Sequence, residues 1–254
     1  MRNGRPAFVG RPFGLEICMK LFSLGARLAL CASMVREGAA LADVGTDHAY
    51  LPVWLAKKGA VRKAVASDVR PGPLERARED IEKFGVGGIV EARLSDGLDE
   101  IRSEEADDVV IAGMGGELIT AIVGRTGWLR NPEKRLILQP MTREEDLRRS
   151  LTQQGFSVLN EQAVLEGRHV YTVMLCAYGR SAKPRDGLFP YIGLLSGDTP
   201  AGRAYLRREE TRLRNRARGL RAEGSENDAA ELLKLCGQIE TLLQGQPREW
   251  ERPE

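Results

Sequence analysis

Four short stretches carry residue types able to do chemistry at one shared place: Asp43-Val-Gly45-Thr-Asp47-His48, the lone Asp68, Ser95-Asp96-Gly97, and Gly113-Met114-Gly115-Gly116. Each closes a run with the composition of a buried strand. Leu41, Ala42 and Val44 lead into Gly45, and Asp108 to Ala112 leads into Gly113. Glycines and carboxylates at successive strand ends converge on the carboxyl edge of a parallel sheet, where α/β proteins bind nucleotide-like ligands. A single Asp closing a strand is ordinarily a helix cap or turn residue. Three acidic positions at three successive strand ends point instead to a shared ligand. His48 reads equally as a ligand-site residue or as part of a helix start, and His169, in a late hairpin, reads as structural.

The residues after Gly45 narrow the choice of ligand. A Gly-x-Gly-x-x-Gly turn lets backbone approach a pyrophosphate. Here Thr46, Asp47 and His48 stand in its place, and these side chains crowd or repel a diphosphate, which disfavours a dehydrogenase. The same groups suit S-adenosylmethionine, which carries an ammonium, a carboxylate and a sulfonium but no phosphate. Asp43 or Asp47 attracts the ammonium, while N–H groups around Gly45 hold the carboxylate. Asp68 is placed to take the ribose hydroxyls, and Asp96-Gly97 to accept from the adenine amino group. Gly113 and Gly115 let backbone pass close to the sulfonium or to a flat acceptor. By spacing alone, that stretch reads equally as a tight turn with Met114 filling core space.

The elements that must position these residues emerge from periodicity. Strands are expected at Leu41–Val44, Ala60–Ser67, Ile89–Leu94, Asp108–Ala112 and Arg135–Leu138, alternating with helices from Ala49, from Pro71 to Phe84, around Leu118, Ile119, Ile122 and Val123, and from Arg143 to Gln154. Alternation at this spacing argues for a parallel sheet covered on both faces. Phe156 to Leu165 and Val170 to Tyr178, separated only by Glu166-Gly167-Arg168, form an antiparallel hairpin. The expected fold is thus α/β, a Rossmann-like class I methyltransferase sheet, followed by a polar linker from Gly179 to Gly187. Beyond it, Leu206, Leu213, Ala217 and Leu220 mark one helix, and Leu232, Cys236, Ile239 and Leu243 a second. The two make a helical coiled-coil hairpin.

A chain of 254 residues with a net charge of +2 gives no global argument for a polyanionic partner. The four cysteines, Cys18, Cys31, Cys176 and Cys236, form no Cys-x-x-Cys pair, so no metal site or disulfide framework is expected. Leu21, Leu24, Leu28, Cys31 and Val35 fall at helical spacing, leaving Lys20, Ser23 and Arg27 off the stripe, which fits an amphipathic helix better than a signal peptide. No run is long enough to cross a membrane, and a cytoplasmic, monomeric protein is expected. The domains read as a flexible extension over 1–19 with Met19 a candidate start, a methyltransferase domain over 20–179, and a helical domain over 188–246.

Taken in order, Asp43-Val-Gly-Thr-Asp-His-Ala-Tyr-Leu-Pro52, Gly72-Pro73-Leu74, Ser95-Asp96-Gly97-Leu98, Ile111-Ala-Gly-Met-Gly-Gly116 and Leu138-Gln139-Pro140 resemble the motifs of the bacterial tRNA (adenine-22-N1)-methyltransferases. The similarity runs from about Leu21 to Tyr178 and, more weakly, through the C-terminal helices. Met141 departs from the pattern, standing where family members carry an Asn. The resemblance implies transfer of a methyl group from S-adenosylmethionine to N1 of an adenine in tRNA. It makes Asp47 a candidate for stabilising charge on the methylated base, Met114 a pocket wall and Gln139 an amide reader. It also gives a role to the arginines of the first C-terminal helix, Arg203, Arg207, Arg208, Arg212, Arg214, Arg216, Arg218 and Arg221, which would meet the tRNA backbone. Without it, they read as a solvated helix face. The alternatives are a methyltransferase of this fold acting on another RNA or a small molecule, and a non-catalytic RNA-binding protein with a vestigial pocket.

Overall fold

The computed structural model describes residues 21–179 and 187–246. The extension expected over 1–19, Cys18, and most of the linker expected between Gly179 and Gly187 lie outside the described residues. Seven strands form one sheet: β1 (Ala39–Val44), β2 (Val61–Asp68), β3 (Val90–Leu94), β4 (Asp108–Gly115), β5 (Arg135–Thr142), β6 (Phe156–Glu166) and β7 (His169–Tyr178). Their order is β3-β2-β1-β4-β5-β7-β6. All pairings from β3 to β5 are parallel, and β7 runs antiparallel to both β5 and β6. The chain lays strands to one side of β1, then crosses to lay β4 and β5 on the other. The direction reverses between β1 and β4, and ligands of doubly wound sheets bind at such a reversal.

Helices α1 (Ala26–Met34), α2 (Tyr50–Lys57), α3 (Pro71–Lys83), α4 (Gly116–Arg125) and α5 (Glu144–Gln153) cover both faces. Strand alternation sorts the core. Val44, Ile111 and Leu138 point toward Ile119, Ile122, Leu147 and Leu151 of α4 and α5. Leu41, Val110 and Ile137 point the other way, toward Cys31, Val53 and Ile81 of α1, α2 and α3. Because both faces are covered, every residue of β1 is buried.

Three elements differ from the sequence expectation. The helix expected from Leu21 begins only at Ala26, after Gly25 in an extended conformation. Phe22 and Leu24 reach the core without helical backbone, Phe22 meeting the rings of Tyr50 and Phe84 at 5.1 and 5.2 Å. Strands β4 and β5 run on through Gly113-Met114-Gly115 and Gln139-Pro140-Met141, which read as strand ends. They pair irregularly, with register shifts around Met114 that accommodate the missing N–H of Pro140. Of the residues that mark α4, Ile119, Ile122 and Val123 are buried and Leu118 is exposed.

After the sheet come a short helix α6 (Phe189–Ile192), then α7 (Pro200–Ala222) and α8 (Glu226–Leu243). Thr199 caps α7 by accepting from the Gly202 N–H at 2.9 Å, and Pro200 occupies the first turn, where its missing N–H costs nothing. Leu206, Leu213 and Ala217 of α7 pack on Leu232, Cys236 and Ile239 of α8. Leu220 and Leu243 lie at the margin, only partly buried. No helix among the described residues is long and apolar enough to cross a membrane.

Candidate functional site

The site forms where β1 and β4 end side by side. Gly45 turns the chain after β1 with φ of +78°, a conformation that favours glycine. A Cβ at Gly45 would collide with the methyl of Met114 from β4, so the two residues close on each other across the sheet reversal. Asp43, the penultimate residue of β1, is buried. Its carboxyl is pushed up to about 6 by burial, against a lowering hydrogen bond from Thr46. No salt bridge to Asp43 is formed among the described residues. Thr46 also accepts from the Ala49 N–H at 3.1 Å and so shapes the turn into α2, where Ala49 itself is held at φ of +53°.

Asp68 closes β2 at the same edge, also buried. Its Oδ1 accepts from the Arg70 N–H at 2.8 Å, while Oδ2 makes no hydrogen bond among the described residues. Asp96 follows β3 with its side chain 62% exposed, and Arg125 of α4 donates to both its carboxylate and its carbonyl at 2.6 Å. Arg125 fits there because Gly97, at φ of +60°, carries no Cβ.

His48 and Asp47 turn toward α3. Asp47 is paired with Arg76, whose hydrogen bond holds its carboxyl below the ordinary range. His48 Nδ1 lies 3.3 Å from Asp80, and its ring stacks on Tyr50 at 4.8 Å. Asp47 thus sits on the β2 side of the reversal with a cation already beside it. Its carboxylate, expected to stabilise charge on a methylated base, is thus already engaged by Arg76.

Gln139 is corrected too. It is fully buried, and its Oε1 accepts from Arg27 at 2.6 Å and from the Gly113 N–H at 3.0 Å. Its Nε2 donates to the Pro140 carbonyl at 2.7 Å. An amide so occupied cannot read a base edge; it is a strut that ties the end of β4 to β5. Arg27, which the sequence leaves off the apolar stripe, is the partner that sequence reasoning misses. It also reaches Glu166 at 3.4 Å and lies over the Tyr171 ring at 5.6 Å. The available signal was a cation interrupting an apolar helix just before a glycine-terminated strand.

The arginines of α7 divide. Arg208 pairs with Glu144 at 2.8 Å and stacks on Tyr205 at 4.4 Å. Arg212 pairs with Glu209 and Glu145, and Arg214 with Glu210 and Glu240. These three bind helices together, so they are corrected from free phosphate contacts to braces. Arg203 donates to the Gly197 carbonyl, Arg216 and Arg221 stand 3.8 and 3.5 Å from Glu145 and Glu226, and Arg218 reaches Asn215. Arg207 is exposed and forms no ion pair among the described residues.

These residues suit S-adenosylmethionine. A buried carboxylate with a raised pKa and no cation gains most from an incoming ammonium. Asp43 is that group, and Asp47, already paired, is not. Asp68 keeps a carboxylate oxygen without a hydrogen bond among the described residues, and Gly45 and Met114 approach closely, with no charged group between them, beside the reversal. No cluster of three or more His, Cys, Asp or Glu side chains that could hold a metal is found among the described residues.

The chain and its fold have known relatives. A methyltransferase domain family model matches residues 24–174. The chain is 33% identical over 179 residues to the tRNA (adenine(22)-N(1))-methyltransferase of Bacillus subtilis, covering 70% of this chain and 75% of that protein. The crystal structure of the B. subtilis m1A22 tRNA methyltransferase superposes with a TM-score of 0.72 at 26% identity, covering 88% of this chain and 100% of that one. A Streptococcus pneumoniae protein in complex with S-adenosyl-L-methionine gives a TM-score of 0.72 at 31% identity, covering 85% and 98%.

Proposed function

The chain belongs to the tRNA (adenine(22)-N(1))-methyltransferase family, and from that premise we propose that it methylates N1 of an adenine in tRNA, at position 22 as in the B. subtilis relative. The observation that carries this reading is the junction of β1 and β4, where Gly45 and Met114 close on each other between the buried carboxylates Asp43 and Asp68 at the ends of β1 and β2. S-adenosylmethionine supplies an electrophilic methyl group on a sulfonium when bound. Asp43 holds its ammonium, Asp68 its ribose hydroxyls, and Asp96-Gly97 flank its adenine.

Adenine N1 keeps its lone pair near neutral pH, so the chain needs no strong base. Its task is alignment, which for well-oriented pairs is worth effective molarities of order 10⁵ M or more. Met114 and the backbone from Gly113 to Gly115 form the wall between donor and acceptor, and the Gln139 strut fixes that backbone. The target base must leave its stack to reach this wall. In this reading, residues 20–179 are the catalytic unit and residues 188–246 present the tRNA, with Arg207 and the weakly paired Arg216, Arg218 and Arg221 facing its backbone.

Incubation with labelled S-adenosylmethionine and unmodified tRNA, followed by nucleoside mass spectrometry, tests the reading. N1-methyladenine mapped to position 22 is expected. Absence of label in tRNA overturns it. Asp68→Ala should weaken S-adenosylhomocysteine binding at least tenfold by calorimetry, and unchanged binding would remove Asp68 from the site.

A further inference from the structure

Two clefts of nearly equal size open on either side of Met141 and Arg208, between the acceptor edge of the sheet and α7. The first, about 620 Å³, is self-neutralised: Arg208, Arg212 and Arg216 face Glu144, Glu145 and Glu209 across it. The second, about 610 Å³, lies between the tip of the β6–β7 hairpin and α7. Arg168 stands on the hairpin side and Arg207 on the helix side, with the planar side chains His169 and Tyr171 and the apolar, partly exposed Leu165 and Met141 also in the lining. No carboxylate lines this cleft among the described residues, and neither Arg168 nor Arg207 forms an ion pair there. Its volume lies within the range of about 300–1,000 Å³ usual for small-ligand sites.

We infer that this second cleft is a subsite for a nucleotide flanking the acceptor adenine in the RNA strand. The inference rests on the proposed function. Two unpaired guanidiniums on opposite walls match a phosphate, and planar and apolar side chains together match a base, whatever its identity. Position supplies the rest. Met141 lies in β5 directly after Gln139-Pro140, and Tyr171 lies under Arg27, which donates to Gln139 at 2.6 Å. The cleft is therefore one side chain away from the strut that fixes the acceptor wall. A strand that delivers a turned-out base to that wall must place its neighbouring nucleotide beside it. The paired arginines of the first cleft offer no comparable charge, so the strand leaves the pocket past the hairpin tip rather than along α5.

The test compares wild-type enzyme with Arg168→Glu/Arg207→Glu on unmodified tRNA transcript. Both residues are exposed, so the fold should be retained, and S-adenosylhomocysteine affinity checks this. The variant should raise KM for tRNA at least tenfold with kcat within about threefold. With Arg168→Ala/Arg207→Ala, the slope of log Kd against log salt should fall by roughly 0.7–0.9 for each phosphate no longer neutralised. The same charge reversal at Arg130, exposed before β5 and distant from the edge, should leave both measures within twofold. An unchanged KM or an unchanged salt slope overturns the subsite. If the wild-type enzyme leaves tRNA unlabelled, the proposed function falls first and the subsite with it, so the two failures are distinct.

Discussion

Replacing Arg148 by Ala should cost far more stability than any surface arginine, and should do so by loosening α6 and α7 from the sheet. Arg148 lies on α5 and is fully buried. All five of its N–H donors are engaged. Nε and one Nη2 hydrogen go to Glu161 at 3.2 and 2.7 Å, the other Nη2 hydrogen to the Tyr205 hydroxyl at 2.8 Å, and the two Nη1 hydrogens to the carbonyls of Pro190 and Tyr191 at 2.9 and 3.0 Å. Burial pulls its pKa down, but the Glu161 carboxylate more than offsets this, so the guanidinium stays charged. Removing it leaves Glu161, among the described residues, with the Thr172 hydroxyl at 2.7 Å and the Leu194 N–H at 3.0 Å. Breaking a buried pair by deleting one partner costs about 3–5 kcal/mol, a large share of a total near 5–15 kcal/mol. Arg148→Met/Glu161→Leu removes both charges and should cost much less than the sum of the single variants. Urea unfolding followed by circular dichroism measures these values, with hydrogen exchange on α7 locating the loosening. A loss below about 1 kcal/mol for Arg148→Ala, or additive single variants, would refute the reasoning. The variant should also keep its S-adenosylhomocysteine affinity while losing affinity for tRNA, since the network lies on the C-terminal side of the site.

Two further predictions concern the cofactor half. Burial pushes the Asp43 carboxyl up to about 6, so the fold carries no penalty there while the group is protonated and loses stability as pH rises from 3.8 through about 6. An ammonium beside it favours the ionised form and reverses that preference, so S-adenosylhomocysteine affinity should rise from pH 5 to 7, by up to about tenfold per unit, and then level off; calorimetry should find the rise abolished in Asp43→Asn, and a flat wild-type profile would exclude Asp43. Gly45→Ala forces a non-glycine residue to positive φ at about 1–2 kcal/mol and drives its Cβ into the Met114 methyl. Cofactor affinity should fall at least tenfold and recover in part in Gly45→Ala/Met114→Ala, whereas wild-type affinity in the single variant would show that this approach does not shape the pocket.

The turns at the carboxyl edge of the sheet are legible because their signals are local. Gly45, Asp68, Gly97 and Gly113 each follow an apolar run within a few residues, and turn chemistry is decided by the same residues that display it. Arg208 and Arg212 are not legible in this way. Their partners Glu144 and Glu145 lie 64 and 67 residues away, so the helix reads as a basic face until α5 is laid against it. Gln139 fails for a related reason. An amide at a strand end looks available until Arg27, brought from 112 residues away, occupies it.

Glu161 shows where periodicity itself misleads. Strict alternation from Val158, which points inward, would put Asn160 inside and Glu161 in solvent. The structure has one extra residue between them: Val158 faces Cys176, and Asn160 already faces Leu175. That bulge throws Leu159 outward and turns Glu161 into the core, where Arg148 waits beside Leu147 and Leu151. The two errors compensate. A charged residue on the apolar stripe of α5 and a charged residue in a bulged strand are each unfavourable alone, and the sequence shows only the first. Together they form the bond that sets α7, and with it Arg207, which has no ion pair among the described residues, against the β6–β7 side of the sheet. The placement of the helical hairpin therefore depends on a single-residue bulge in β6, at the opposite edge of the sheet from β3 and β2.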